Sequence, residues 1–166
     1  SNWFFENVIA TADKPLGDRK VSFLFTTPQQ DGGQWDMLCG IIEKYGIVPK
    51  SVYPETANSN NSSALNDTLN TLLRKDGLEL RKLVNDGKSE DEVQARKEEM
   101  LNDVFRVLSI SLGVPPTKFN FEYRDDDKNY RIDKDITPKE FFDKYVGMDL
   151  ENHISTINAP TSDKPF

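Results

Sequence analysis

The sequence predicts an α+β chain, predominantly helical, with a long antiparallel helix pair and one small β-hairpin. Three observations lead there. The stretches 63–85 and 90–112 place leucine-type residues at helical spacing over about six turns each. Aromatic residues alternate with polar ones between 119 and 132, the period of a strand pair. The first 55 residues break into short apolar runs separated by proline and glycine, too short for a second long pair.

The elements follow in chain order. WFFENVIATA (3–12) puts Trp3, Phe4, Val8 and Phe5 on one helical stripe, with Asn2 as N-cap and Pro15 beyond the end. After Asp18, RKVSFLFTT is an apolar run closed by Pro28. It reads as a short buried strand or as a helix, and periodicity does not separate the two. From Gly33 onward, Trp35, Leu38, Ile41, Ile42 and Tyr45 fall at helical spacing, and Gly46 stands where a helix ends. Pro49 and Pro54 make IVPKSVYP extended and irregular, and ETANSNNSS reads as a polar loop.

The first long helix, Ser63 to Asn85, carries Leu65, Leu69, Leu72, Leu73, Leu80, Leu83 and Val84. Gly77 inside it weakens a helix by about 1 kcal/mol relative to alanine. NDGKS breaks the chain, and Ser89 with Glu92 forms a capping box for the second helix, which stops at GVPP. Met100, Leu101, Val104, Phe105 and Leu108 are its apolar positions. Phe119, Phe121 and Tyr123 answer Tyr130 and Ile132 across a charged turn. Thr137, Pro138 and Glu140 start a short helix bearing Phe141, Phe142 and Tyr145. HISTIN (153–158) reads as a strand and APTSDKPF as a tail.

Composition narrows the function classes. Hydrophobic residues make up 36% and charged residues 30%, so much of the surface is polar. The net charge of −7 argues against a nucleic-acid grip, which needs clustered Lys and Arg. No apolar run reaches the roughly 20 residues that span a bilayer, so no membrane partner is expected. A single cysteine forms no internal disulfide, and SNWFFENVIATADK lacks the basic lead and long apolar core of a signal peptide. A cytoplasmic location is the expectation.

Cys39 and His153 are the only cysteine and histidine. Cys39 sits mid-helix in MLCGII, past the first turn and without a neighbouring cation. Burial there raises a thiol pKa, so the residue reads as packing rather than as a nucleophile. His153 has no orienting partner signalled, and a zinc site would need carboxylates as well. Asp125, Asp127 and Asn129 imitate the start of a calcium loop. Tyr130 and Ile136 then occupy the positions that demand glycine and glutamate. No metal or cofactor is expected. Gly32-Gly33 remains: a plain tight turn, an anion cradle before a helix, or backbone bared for close approach by another main chain.

The wording around that pair, DGGQWDMLCGIIEKYGIVPKSVYPE, resembles the papain superfamily segment in which Gly-Gly precedes a helix, followed by Tyr-Gly-Ile and Tyr-Pro. Here these are Gly32-Gly33, Tyr45-Gly46-Ile47 and Tyr53-Pro54. With LGVPPTKFNFEYRDDDKNY, ITPKEFFDKYVG and INAPTSDKP, the text is similar to the aminopeptidase C and bleomycin hydrolase branch over nearly the whole chain. The resemblance implies a papain-like fold with residues 1–55 in its helical subdomain. Residues 56–147 are then a helical insertion with the hairpin, and 148–166 a return segment and tail.

The resemblance also implies a cytoplasmic cysteine aminopeptidase that releases N-terminal residues from peptides, with a Cys-His-Asn catalytic set. Neither Cys39 nor His153 matches a catalytic position, so no catalytic residue is expected here. The chain reads as a central, inactive fragment. What carries over is substrate binding: Gly33 with Gly32 matches the Gly-Gly whose backbone pairs with an extended peptide, and Trp35 is a candidate pocket wall. The branch assembles as a ring-shaped homo-hexamer, and apolar surface meant for the missing parts is then exposed, refolded or buried in a dimer of the fragment. The clusters Trp3–Phe5 and Phe23–Phe25 are the expected bare patches. The rival from another class is a non-enzymatic helical module that self-associates through residues 63–112; a second is an anion-binding domain at the Gly33 helix start.

Overall fold

A computed structural model describes residues 1–30 and 32–152. The elements in order are α1 (Asn2–Ala10), α2 (Arg19–Thr26), α3 (Trp35–Tyr45), α4 (Ala57–Asn60), α5 (Ser63–Asn85) and α6 (Glu90–Leu112). After them come β1 (Phe119–Arg124), β2 (Tyr130–Ile136), α7 (Pro138–Phe141) and a π-helical turn, Phe142–Val146. The chain divides into two compact units: Ser1–Gly32 with Tyr53–Pro115, and Gly33–Val52 with Pro116–Phe166. His153 and the expected strand and tail at 153–166 lie outside the described residues, as does Asp31.

The first unit is built on the α5–α6 pair, whose bounds agree with the sequence pattern. Its core joins Leu65, Leu69, Leu73 and Leu80 of α5 to Val93, Met100 and Val104 of α6, with Phe4, Phe5 and Val8 of α1 and Leu24 of α2. The Ser89–Glu92 capping box is formed, the serine hydroxyl accepting from the Glu92 N–H and the carboxylate from the Ser89 N–H. Gly77 has a packing reason. A Cβ there would lie 3.0 Å from Phe4 Cζ and 3.2 Å from Phe25 Cζ, so the bare backbone lets two rings sit on α5.

The run after Asp18 is helix rather than strand, spanning Arg19–Thr26. Asp18 accepts from the N–H groups of Lys20 and Val21, at 2.9 and 3.4 Å. Val21, Leu24 and Pro28 then point inward while Phe23 is 73% exposed; a strand would have put Phe23 beside Val21. Two arginines one heptad apart on α5 satisfy the carbonyls at the ends of α1 and α2. Arg74 donates to Phe25 and Thr26 at 2.8 and 2.7 Å. Arg81, buried, donates to Thr11 at 2.7 Å and also to Ala12 and Lys14. Cations at helix C-termini also complement the macrodipole.

Several expectations are corrected. α1 begins at Asn2, with Ser1 as its cap, and Trp3 is 64% exposed while Phe4 and Phe5 are buried; a nine-residue helix can turn only part of its aromatic surface inward. The bare patches are thus Trp3 and Phe23, with Phe25 half-buried. Phe105 of α6 is exposed too. The polar loop contains α4, held because Thr56 caps it and donates to the Ser111 carbonyl at 3.0 Å, joined there by Asn58 at 3.2 Å. Tyr53 donates to the Gly113 carbonyl at 3.1 Å, so the Tyr-Pro segment closes the end of α6.

The second unit holds α3, the hairpin and α7. β1 and β2 pair antiparallel, from Arg124 opposite Tyr130 to Phe119 opposite Ile136, with an irregularity between Phe119 and Phe121. Phe121 meets Phe141 and Tyr145 edge-on, with ring centroids 4.8 and 4.7 Å apart. The Tyr145 hydroxyl donates to Asp133 at 2.6 Å. Partial burial first, and that bond second, hold the phenol pKa above its ordinary range.

Candidate functional site

The site grows from the start of α3. Gln34 is extended, with φ −99° and ψ 163°, and its carbonyl accepts from the Leu38 N–H at 3.2 Å, so the helix begins immediately after it. Asp36 in the first turn and Lys44 in the last both suit the helix dipole. The expected apolar stripe is turned the other way: Trp35, Leu38, Ile41 and Tyr45 are largely exposed. The inward side is narrower, with Cys39 buried and Ile42 half-buried against Phe142, Leu150 and Ile47. Apolar residues cover more than half the circumference of α3, leaving one side to Asp36, Glu43 and Lys44, so spacing alone does not tell which part of the apolar side its own unit covers.

The far end of α3 is pinned. Gly46 has φ +74° and ψ −162°, a conformation essentially reserved for glycine. A Cβ there would fall 2.2 Å from the Pro138 carbonyl carbon and 2.3 Å from Lys139 N. The next residue, Ile47, donates its N–H to the Pro138 carbonyl at 3.1 Å. Main chain lies against main chain, and α7 fixes the axis of α3.

Gly32 and Gly33 are both exposed. Gly33 does not have the positive φ that would make glycine a conformational necessity. Among the described residues, a Cβ at Gly32 meets nothing within 4 Å, and one at Gly33 meets only Met37 Sδ at 4.0 Å. Among the described residues no crowding demands glycine at either position, in contrast to Gly46. Trp35 follows on the first turn with about half its surface exposed.

Cys39 is 8% exposed in an apolar cluster, the environment of a packed thiol and not of a nucleophile. Asp125 organises the hairpin turn: its carboxylate accepts from the Asn129 N–H at 2.8 Å and from Arg131 at 2.9 Å. Those bonds outweigh partial desolvation, which acts the other way, and hold its carboxyl below the usual range. Among the described residues no cluster of His, Cys, Asp or Glu is arranged to hold a metal.

Sequence reasoning missed Met37. The Gln34 N–H points at Met37 Sδ, 3.5 Å away, so a thioether occupies the place a Glu or Gln takes in a capping box. Nothing in the sequence signals this, since methionine is no part of that rule.

Exposed main chain thus leads into a braced helix whose one thiol is buried. The chain belongs to the Peptidase C1-like family, whose model matches residues 1–166. It is 92% identical over 166 residues to an aminopeptidase C of Lactobacillus helveticus, covering all of this chain and 37% of that protein. To an aminopeptidase W of Lactobacillus delbrueckii subsp. lactis it is 44% identical over 160 residues, covering 96% of this chain and 36% of the relative. The crystal structure of PepW from Lactobacillus rhamnosis HN001 superposes with a TM-score of 0.89 at 61% identity, over 99% of this chain and 37% of that one. This chain thus spans about 37% of the length of the relatives it matches. The papain-like, mainly helical reading of the sequence agrees with these findings.

Proposed function

We propose that residues 1–166 are the peptide-binding and assembly part of a papain-like cysteine aminopeptidase, and that they supply none of its catalytic groups. The observation that carries this reading is the Gly32–Gly33 pair. Two exposed glycines adjoin α3, and among the described residues no crowding accounts for the missing side chains: a Cβ at Gly32 meets nothing within 4 Å, and one at Gly33 only Met37 Sδ at 4.0 Å. An extended peptide does. One N–H and one C=O bind any main chain regardless of side chain, and a side chain at Gly33 would hold that peptide off. Trp35 stands beside this edge as a wall that sets side-chain preference. The parent reaction is thiolate attack on a peptide carbonyl, giving an acyl-enzyme that water then hydrolyses. The thiol is not Cys39, which is buried.

The three-part division at 55 and 147, a cytoplasmic location and a homo-hexameric parent belong to the same reading. The exposed α3 face, together with Trp3 and Phe23, supplies apolar surface for the remaining polypeptide or for a second copy of this chain. Among the described residues no helix is long and apolar enough to cross a membrane.

The test is turnover of amino-acid fluorogenic amides. Residues 1–166 alone are expected to give none, with or without thiol reductant, while the full-length polypeptide carrying them is active. Thiol-dependent turnover by residues 1–166 that Cys39→Ala abolishes would overturn the assignment.

A further inference from the structure

Between Gly33 and the first turn of α3 lies a single peptide group whose direction matters to any strand that pairs there. Its N–H belongs to Gln34 and points at Met37 Sδ, 3.5 Å away. The Gly33 Cα lies on the same side of that trans peptide as the N–H, and its Cβ position is 4.0 Å from the same sulfur. Met37 therefore folds back from the helix and lies against the Gly33–Gln34 link. It does so while 60% exposed, so it is not driven there by burial.

A trans peptide is planar, and its N–H and C=O point in opposite directions; the chain contains no cis bond among the described residues. Holding the Gln34 N–H toward Met37 thus aims the Gly33 carbonyl away from the helix. Thioether sulfur is a weak acceptor, so the effect is one of orientation, worth a modest factor. It biases a link that two adjacent glycines would otherwise leave free to rotate.

We propose that Met37 is a positioning residue for peptide binding: its sulfur holds the Gln34 N–H and so presents the Gly33 carbonyl to a main-chain N–H of the substrate. This rests on the reading of Gly33 as the pairing edge. Met37 touches no reacting atom, so its contribution belongs in KM and not in kcat.

The experiment is steady-state kinetics of the full-length enzyme carrying this segment, on unmodified peptide substrates. Met37→Leu keeps the apolar bulk and removes the acceptor; KM is expected to rise about three- to fivefold with kcat within twofold. Met37→Gln restores an acceptor at the same helical position and recovers most of the loss. An unchanged KM in Met37→Leu, or an equal rise in both variants, overturns the proposal. Gly33→Ala separates the two levels. If it leaves KM unaltered the pairing edge itself is wrong; if it raises KM while Met37→Leu does not, only the role of Met37 fails. Amide exchange at Gln34 in the unaltered enzyme decides the matter even where a variant folds poorly: protection of several-fold over a free-peptide rate is expected, and a free-peptide rate overturns the proposal.

Discussion

Replacing Gly46 by alanine attacks the joint that holds α3 in place. The positive φ at this position costs a Cβ-bearing residue on the order of 1–3 kcal/mol in backbone strain. The steric cost adds to it. A carbon 2.2 Å from the Pro138 carbonyl carbon is far inside the ~3.5 Å contact distance of carbon atoms, and backbone has no rotamer with which to yield. α3 and α7 must separate, and the Ile47 N–H to Pro138 carbonyl bond, worth about 1 kcal/mol net, goes with them. The sum is about 3–4 kcal/mol against local order in this unit, or about 100- to 1,000-fold in an opening equilibrium. Hydrogen exchange reads this directly. Amides of Leu38 to Tyr45 are expected to exchange at least 100-fold faster in Gly46→Ala, while those of α6, in the other unit, serve as the reference. Exchange of the α3 amides within threefold of the unaltered chain would refute the argument.

Other consequences are as specific. Arg81→Met leaves the carbonyls of Thr11 and Lys14 without their buried donor, and urea unfolding is expected to show about 2–4 kcal/mol lost, more than for the partly exposed Arg74→Met. Asp76 is 2% exposed, with one carboxylate oxygen unpartnered among the described residues, and burial raises its pKa above 3.8 against the pull of Lys75. Because the folded state holds this proton more tightly than the unfolded one, the contribution is present in full below about pH 4. It is lost as pH rises through the folded pKa. Asp76→Asn is therefore expected to remove a downward slope of stability with rising pH above 4, and an unchanged slope counts against the burial argument. Cys39 is expected to resist alkylation by iodoacetamide in the native chain and to react on unfolding; fast native alkylation contradicts its place in the Phe142–Leu150 cluster.

The parts of this fold that show in the sequence are those whose signal is local and long. The bounds of α5 and α6 follow from about six turns of consistent apolar spacing each and from a capping box that needs no tertiary help. The hairpin follows from alternation across a charged turn. What stayed hidden depends on partners far along the chain. Arg74 and Arg81 look like ordinary helix-surface cations until α1 and α2 bring their carbonyl ends to them. α4 exists because the carbonyl of Ser111 accepts from Thr56, 55 residues earlier in sequence. Residues 19–26 resolve to helix with Asp18 as the cap, where periodicity alone left helix and strand open. On α3 the spacing located the helix but not its covered side, since Cys39 and Ile42 were no more apolar than the residues left outside. At the site, Gly32 and Gly33 could be named from their neighbours in sequence. That no described neighbour crowds either position could not be, because that requires the space around each Cβ.

The measurement closest to the central claim is KM of Gly33→Val in the full-length enzyme, taken on several peptides that differ in side chain, beside its melting temperature. Melting temperature separates a loss of binding from a loss of fold, since among the described residues a Cβ at Gly33 meets only Met37 Sδ at 4.0 Å. Main-chain pairing predicts that KM rises about tenfold or more, by a similar factor for every peptide. A KM that does not move, or one that moves only for certain side chains, would contradict it.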